Sequence, residues 1–104
     1  MTRARFLPEA EDELAEAVQF YELAEAGLGA AFTLEVERTV DRICAFPESG
    51  AKFSASTRGR ITANFPFWVI YAVEAVEAAE VTIIAIAHQR RKAGYWRKRK
   101  NAPR

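Results

Sequence analysis

In the stretch AHQRRKAGYWRKRK, residues 87–100, the chain's one histidine stands among cations and aromatic rings. An imidazole can move a proton near neutral pH, a guanidinium pairs with phosphate, and an aromatic ring stacks on a base. His88, Arg91 and Tyr95 are accordingly a candidate catalytic set for cleaving RNA. Arg90 and Trp96 are candidate contacts to a target or to phosphate. Arg58 and Arg60, two apart on an expected strand, project to the same face and join them as further target- or phosphate-binding candidates. A structural reading stands beside this one: His88 bonded to a backbone carbonyl, and Trp96 folding the tail onto the sheet.

Other chemistries find less support. One His and one Cys, far apart, do not make a ligand set, so no metal and no cofactor is expected. Gly27-Leu28-Gly29 lacks the spacing of a phosphate-cradling loop and reads as a helix-breaking turn. Cys44, between Ile43 and Phe46, reads as an inert core thiol. The carboxylates from Glu9 to Glu25 read as a solvated helix face.

The elements that must hold the tail follow from periodicity. Arg3 to Leu7 is a short candidate strand stopped by Pro8, a residue suited to the first helical turn. Ala10, Leu14, Ala17, Val18 and Tyr21 then recur at helical spacing, and Phe32, Val36, Val40 and Ile43 form a second stripe. The spacing predicts helices over about residues 8–26 and 29–46, joined as an antiparallel hairpin. Pro47 to Thr57 lacks periodicity and reads as a loop. Beyond it the period changes to two: Arg58–Asn64 and Phe67–Glu74 are candidate strands, and Ala75–Glu80 is a hairpin connection. Val81–Ala87, VTIIAIA, is apolar on both faces and reads as the central strand. The fold class is α+β, β-α-α-β-β-β, with a helix hairpin packed on a small, mostly antiparallel sheet.

Length and charge set the outer limits. A chain of 104 residues suits a single domain (residues 1–104) able to bury about two-thirds of its unfolded surface. Half of its residues are hydrophobic, which argues against disorder. A lone cysteine suits a reducing compartment, and no stretch approaches a membrane span or a leader's apolar run. A cytoplasmic protein with no membrane partner is expected. The net charge of +1 hides a division: eleven of 14 acidic residues lie between Glu9 and Glu48, and eight of 15 basic ones fall after Gln89. The basic tail, residues 89–104, is therefore solvated or neutralised by a partner, and it suits an acidic segment from another chain.

A resemblance adds to these readings. Phe6 and Ala10, Glu13-Leu14, Ala17 with Phe20-Tyr21-Glu22, Gly27-Leu28-Gly29 with Phe32 and Glu35-Val36, Ile43 to Pro47 with Glu48, Arg58, Phe65-Pro66-Phe67, Ile70-Tyr71, and Ala87-His88 with Arg91 and Tyr95-Trp96 follow one another as in a known family. In order and spacing the chain resembles the RelE/ParE toxin superfamily, notably the plasmid-stabilisation proteins. It departs where that family usually carries a proline before the last Gly-Tyr-Trp and this chain has Ala93. The resemblance implies the toxin of a type II toxin–antitoxin system, bound and silenced by a cognate antitoxin in a hetero-oligomer. Relatives divide between non-enzymatic poisons of DNA gyrase and mRNA endonucleases acting on the ribosome. The hairpin signature FYE…GLG…F..EV lies closer to the ParE side, which implies gyrase or another protein target. A ribosome-dependent endonuclease and an inactive toxin-fold binding module are the alternatives.

Overall fold

Leu7 closes the first strand with extended backbone, and Pro8 opens a helix whose first turn carries Glu9 and Glu11, where the helix dipole favours negative charge. The computed structural model describes residues 3–73 and 80–99. Within them β1 (Arg3–Phe6) leads into α1 (Pro8–Ala24) and α2 (Leu28–Ala45), then β2 (Ala51–Lys52), β3 (Arg58–Ile61), β4 (Phe67–Val73), β5 (Glu80–His88) and a 3-10 turn, Tyr95–Lys98. The expected hairpin connection, residues 75–80, lies outside the described residues except for Glu80, which begins β5.

The hairpin between the helices depends on three residues with separate tasks. Gly27 takes a left-handed φ of 91°, a conformation that costs glycine little. Gly29 lies so close to α1 that an added Cβ would stand 2.8 Å from the Val18 carbonyl oxygen. Glu22 reaches across from α1, its carboxylate accepting the Gly27 and Gly29 N–H groups at 3.0–3.1 Å. That carboxylate satisfies donors at the start of α2 that have no partner inside the helix. Glu22 is therefore a cap and not merely part of a solvated face.

The sheet order is β1-β5-β4-β3-β2, with β1 parallel to β5 and every other pair antiparallel. Both helices cover one face. Tyr21 and Phe32 pack edge-on or tilted against Phe65 and Phe67 at centroid distances of 4.9–6.2 Å, joining hairpin to sheet. Val81 to Ala87 is buried throughout, and β5 is flanked on both sides, in keeping with its unbroken apolar run. The expected loop 47–57 contains the added edge strand β2. Two residues are too few to show a period. The strand expected to reach Asn64 ends at Ile61, because the Thr62 hydroxyl donates to the Phe65 carbonyl and Asn64 turns to a φ of 66°. Cys44 is only partly buried, and burial together with Asp41 raises its thiol pKa. Phe46 beside it is 69% exposed, so this end of α2 is less of a core than its apolar residues suggest.

Gly29→Ala tests the close approach of the helices. Because the obstructing atom is backbone, the helices must separate, and the variant should lose about 1–3 kcal/mol. A thermal melt should show a fall of about 4–8 °C per kcal/mol lost. An unchanged melting temperature would contradict the packing.

Candidate functional site

β1 ends at Phe6, opposite Ile83, and the Leu7 N–H makes a last bond to the Ile83 carbonyl. Beyond that point no strand among the described residues covers this edge of β5. Side chains take over the role. Glu13 of α1 accepts the Ile86 N–H at 2.9 Å, and Arg99 donates to the Ile84 carbonyl at 2.8 Å. The two join through paired contacts of 2.8 and 2.7 Å, with 16% and 14% of their side chains exposed. Ile84 is the residue skipped in the pairing of β4 with β5, where Ala85 faces Ile70 and Ile83 faces Tyr71. The irregularity in the ladder is thus the place where the tail is fastened.

Tyr95 completes the fastening, its hydroxyl donating to Glu13 at 2.5 Å. Burial, then the bond to Glu13 and its negative charge, push the phenol pKa well above its ordinary value. Trp96 is 6% exposed and packs edge-on against Phe53, which in turn packs on Trp68. The tail through Arg99 is therefore folded onto the sheet. Its cations Arg90, Arg91, Lys92, Arg97 and Lys98 remain exposed.

His88 ends β5 half-buried. Its Nδ1 accepts the Arg90 N–H at 3.0 Å and its ring meets Phe67 edge-on at 5.1 Å. The neutral ring therefore carries its proton on Nε2. The His88 carbonyl accepts the Arg91 N–H, closing a turn, and the Arg91 guanidinium lies 3.9 Å from the centre of the Tyr95 ring. His88 and Arg91 share a shallow cleft of about 340 Å³ between α1 and the end of β5, with Glu13, Glu16, Phe20 and Phe67 also in its walls. A larger apolar groove, about 950 Å³, lies along the helix hairpin and contains none of these tail residues.

The structure thus brings together His88 and Arg91, with Tyr95 beneath the guanidinium. Arg90 is exposed just beyond, and Trp96 is buried as a packing residue. Arg58 and Arg60 lie elsewhere, on β3 across β4 from β5. Arg58 donates to the Glu48 and Gly50 carbonyls and Arg60 to the Ser49 hydroxyl, all within 2.6–3.0 Å. Tyr71 secures the same loop, donating to the Pro47 carbonyl and accepting the Gly50 N–H. These three side chains shape the turn after α2. Among the described residues, no group of three or more His, Cys, Asp or Glu is placed to hold a metal ion.

Glu13 and Arg99 were not singled out from the sequence. Glu13 carried a signal: it falls three residues after Ala10 and four before Ala17, on the buried stripe of α1. A carboxylate there requires a partner. Nothing in the sequence distinguishes Arg99 from the cations around it.

Glu13→Gln keeps an acceptor for the Ile86 N–H but loses the charge that holds Arg99, and should destabilise the fold by about 1–3 kcal/mol in denaturant titrations. The hydroxyl of Tyr95 gives a pH dependence. Its pKa is raised in the folded state, so its stabilising effect is complete below the unfolded value of about 10 and is lost as pH rises towards the folded value. The stability difference between the unaltered chain and Tyr95→Phe should therefore be constant at neutral pH and shrink above about pH 10. A difference that widened there would refute the assignment.

A solved structure described as the chromosomal ParDE TA system from P. aeruginosa superposes with a TM-score of 0.70 over 85% of this chain and 95% of that one, at 15% sequence identity. Similarity that low concerns the fold, and the shared fold is the helix hairpin on a mixed sheet. No curated protein matches the chain. No helix among the described residues is long and apolar enough to cross a membrane. The sequence pattern of the family described as ParE toxin of type II toxin–antitoxin system, parDE, runs from residue 4 to residue 93, from β1 through the turn that holds His88 and Arg91. By that match the chain belongs to the ParE toxins of type II toxin–antitoxin systems.

Proposed function

We propose that this toxin is neutralised in the cytoplasm by a cognate antitoxin and arrests growth by binding a protein, DNA gyrase, rather than by cutting RNA. The observation that carries this reading is the engagement of Tyr95. Cleavage at a 2′-hydroxyl needs one group to take a proton and another to give one. The cleft offers His88 for one of these steps. The Tyr95 hydroxyl is bound to Glu13 with a raised pKa, and Glu13 itself is committed to Arg99 and to the Ile86 N–H. Arg58 and Arg60, which would neutralise phosphate, are engaged by the loop after α2. A rigid, cation-bearing turn suits recognition of an anionic protein surface more than proton transfer. Arg90 and Arg91 are its outermost contacts, and Trp96 holds the platform beneath them.

The second reading, a ribosome-dependent mRNA endonuclease, draws on one observation: His88 and Arg91 share a cleft. The two readings separate cleanly. Purified toxin should inhibit supercoiling by gyrase and leave mRNA intact with ribosomes present. Arg90→Glu combined with Arg91→Glu should weaken the inhibition about tenfold or more, as loss of interfacial charge complementarity does. Ribosome-dependent cleavage that falls on the order of 10²-fold in a folded His88→Ala variant would overturn the reading in favour of the nuclease.

Neutralisation has its own test. Co-expression with the protein encoded by the adjoining reading frame should restore growth and yield a hetero-oligomer on purification. If neither occurs, the antitoxin assignment fails.

A further inference from the structure

The cleft between α1 and the end of β5 sets two kinds of chemistry side by side. Ala17 and Phe20 of α1 and Phe67 of β4 give it an apolar part. Phe67 belongs to the core and Tyr21 packs against it, but Phe20 has no such place. Phe20 is 67% exposed, and it meets only the edge of Tyr21, at 5.4 Å, among the described aromatic rings. The other part of the cleft carries donors. Arg91 is exposed there, with Arg90 and Lys92 beside it in the chain and also exposed. His88 lines the cleft with its Nδ1 committed to the Arg90 N–H, which leaves the Nε2–H to donate. Of the two carboxylates in the lining, Glu13 is paired with Arg99 and Glu16 is exposed. At about 340 Å³ the cleft admits roughly one or two side chains, and not a helix about 10 Å across.

We infer that this cleft takes a loop of the protein target in which an apolar side chain adjoins an Asp or Glu. The inference rests on the protein-target reading above and adds the chemistry of the segment recognised. The apolar side chain lies against Phe20, and the carboxylate pairs with the Arg91 guanidinium and the His88 Nε2–H. A guanidinium presents a planar fork that matches a carboxylate, and aromatic and Arg side chains dominate the energetics of protein interfaces. A nucleic-acid strand suits the cleft less. Its successive phosphates meet the Glu16 carboxylate. The ring nearest the cations, Tyr95, already has the Arg91 and Arg99 guanidinium carbons at 3.9 and 5.0 Å from its centre, where a base would stack. A single carboxylate on a side chain reaches the donors without bringing further charge past Glu16. Selectivity comes from the pairing: an apolar loop without the acid leaves the donors unmatched, and an acidic loop without the apolar residue leaves Phe20 in water.

The test uses the purified toxin and DNA gyrase holoenzyme, reading both binding and inhibition of supercoiling. Phe20→Ala should weaken both about tenfold or more, as truncation of a buried interface anchor does. Phe46→Ala is the matched control: its ring is 69% exposed at the far end of α2, outside the cleft, and the change should leave both readouts as they were. Glu16→Gln should strengthen binding about two- to fivefold, the effect of removing one exposed like charge, and Glu16→Lys should strengthen it further. Phe20, Phe46 and Glu16 are all exposed, so circular dichroism should show every variant folded. A photo-cross-linking residue at Phe20 should capture a gyrase peptide with an Asp or Glu next to an apolar residue, identified by mass spectrometry. If gyrase is inhibited but Phe20→Ala acts like Phe46→Ala, or if Glu16→Lys weakens binding, this inference is overturned and the gyrase reading stands. Failure of the unaltered toxin to bind or inhibit gyrase removes both. RNA captured at Phe20 in the presence of ribosomes assigns the cleft to nucleic acid. A Phe20→Ala variant that loses only its antitoxin assigns it to that partner, and either result overturns the inference.

Discussion

Where a parallel strand stops short, its neighbour is left with backbone groups that must find partners, and in this chain one carboxylate on a helix supplies them. Glu13 accepts the Ile86 N–H and holds Arg99, which donates to the Ile84 carbonyl. An ion pair so little exposed stabilises only when its remaining hydrogen-bonding positions are filled. Here they are filled by the strand edge and by the Tyr95 hydroxyl. The arrangement does three things together. It covers an open edge that would otherwise pair with other chains. It orients α1 against β5. It also fastens a segment whose charges repel one another, so that the cations are displayed on a firm base.

This fastening separates the residues at the end of the chain into kinds that composition alone does not distinguish. Arg99 and Trp96 face inward and hold; Arg90, Arg91 and Lys92 face outward. Tyr95 touches both groups, through Glu13 on one side and the Arg91 guanidinium on the other. The outward cations border the shallow cleft that holds His88 and Arg91.

Much of the fold was legible in the sequence because burial imposes a period. The helix stripes and the doubly apolar run Val81–Ala87 correspond to α1, α2 and β5 to within two residues at each end. The two-residue β2 was not legible, since it contains nothing periodic. For the site, the proximity of His88, Arg91 and Tyr95 follows from their closeness in sequence. The destination of Arg58 and Arg60 does not, because alternation on a strand fixes the face and not the partner. The commitment of Glu13 was half legible: its place on the apolar stripe required a partner, but Arg99 lies 86 positions away. Long-range pairs of single side chains leave no local pattern.

The parallel pairing of Arg3–Phe6 with Glu80–Ile83 sets an order of events during synthesis. A ribosome delivers the helix hairpin well before it delivers β5, and contacts that span most of a chain are the last and slowest to form. β1 has no strand to join, and Glu13 has no edge to cover, until β5 has emerged. The tail with its cations comes later still. In a toxin of this family the base beneath the tail's cations is thereby completed only after the helix hairpin has been made.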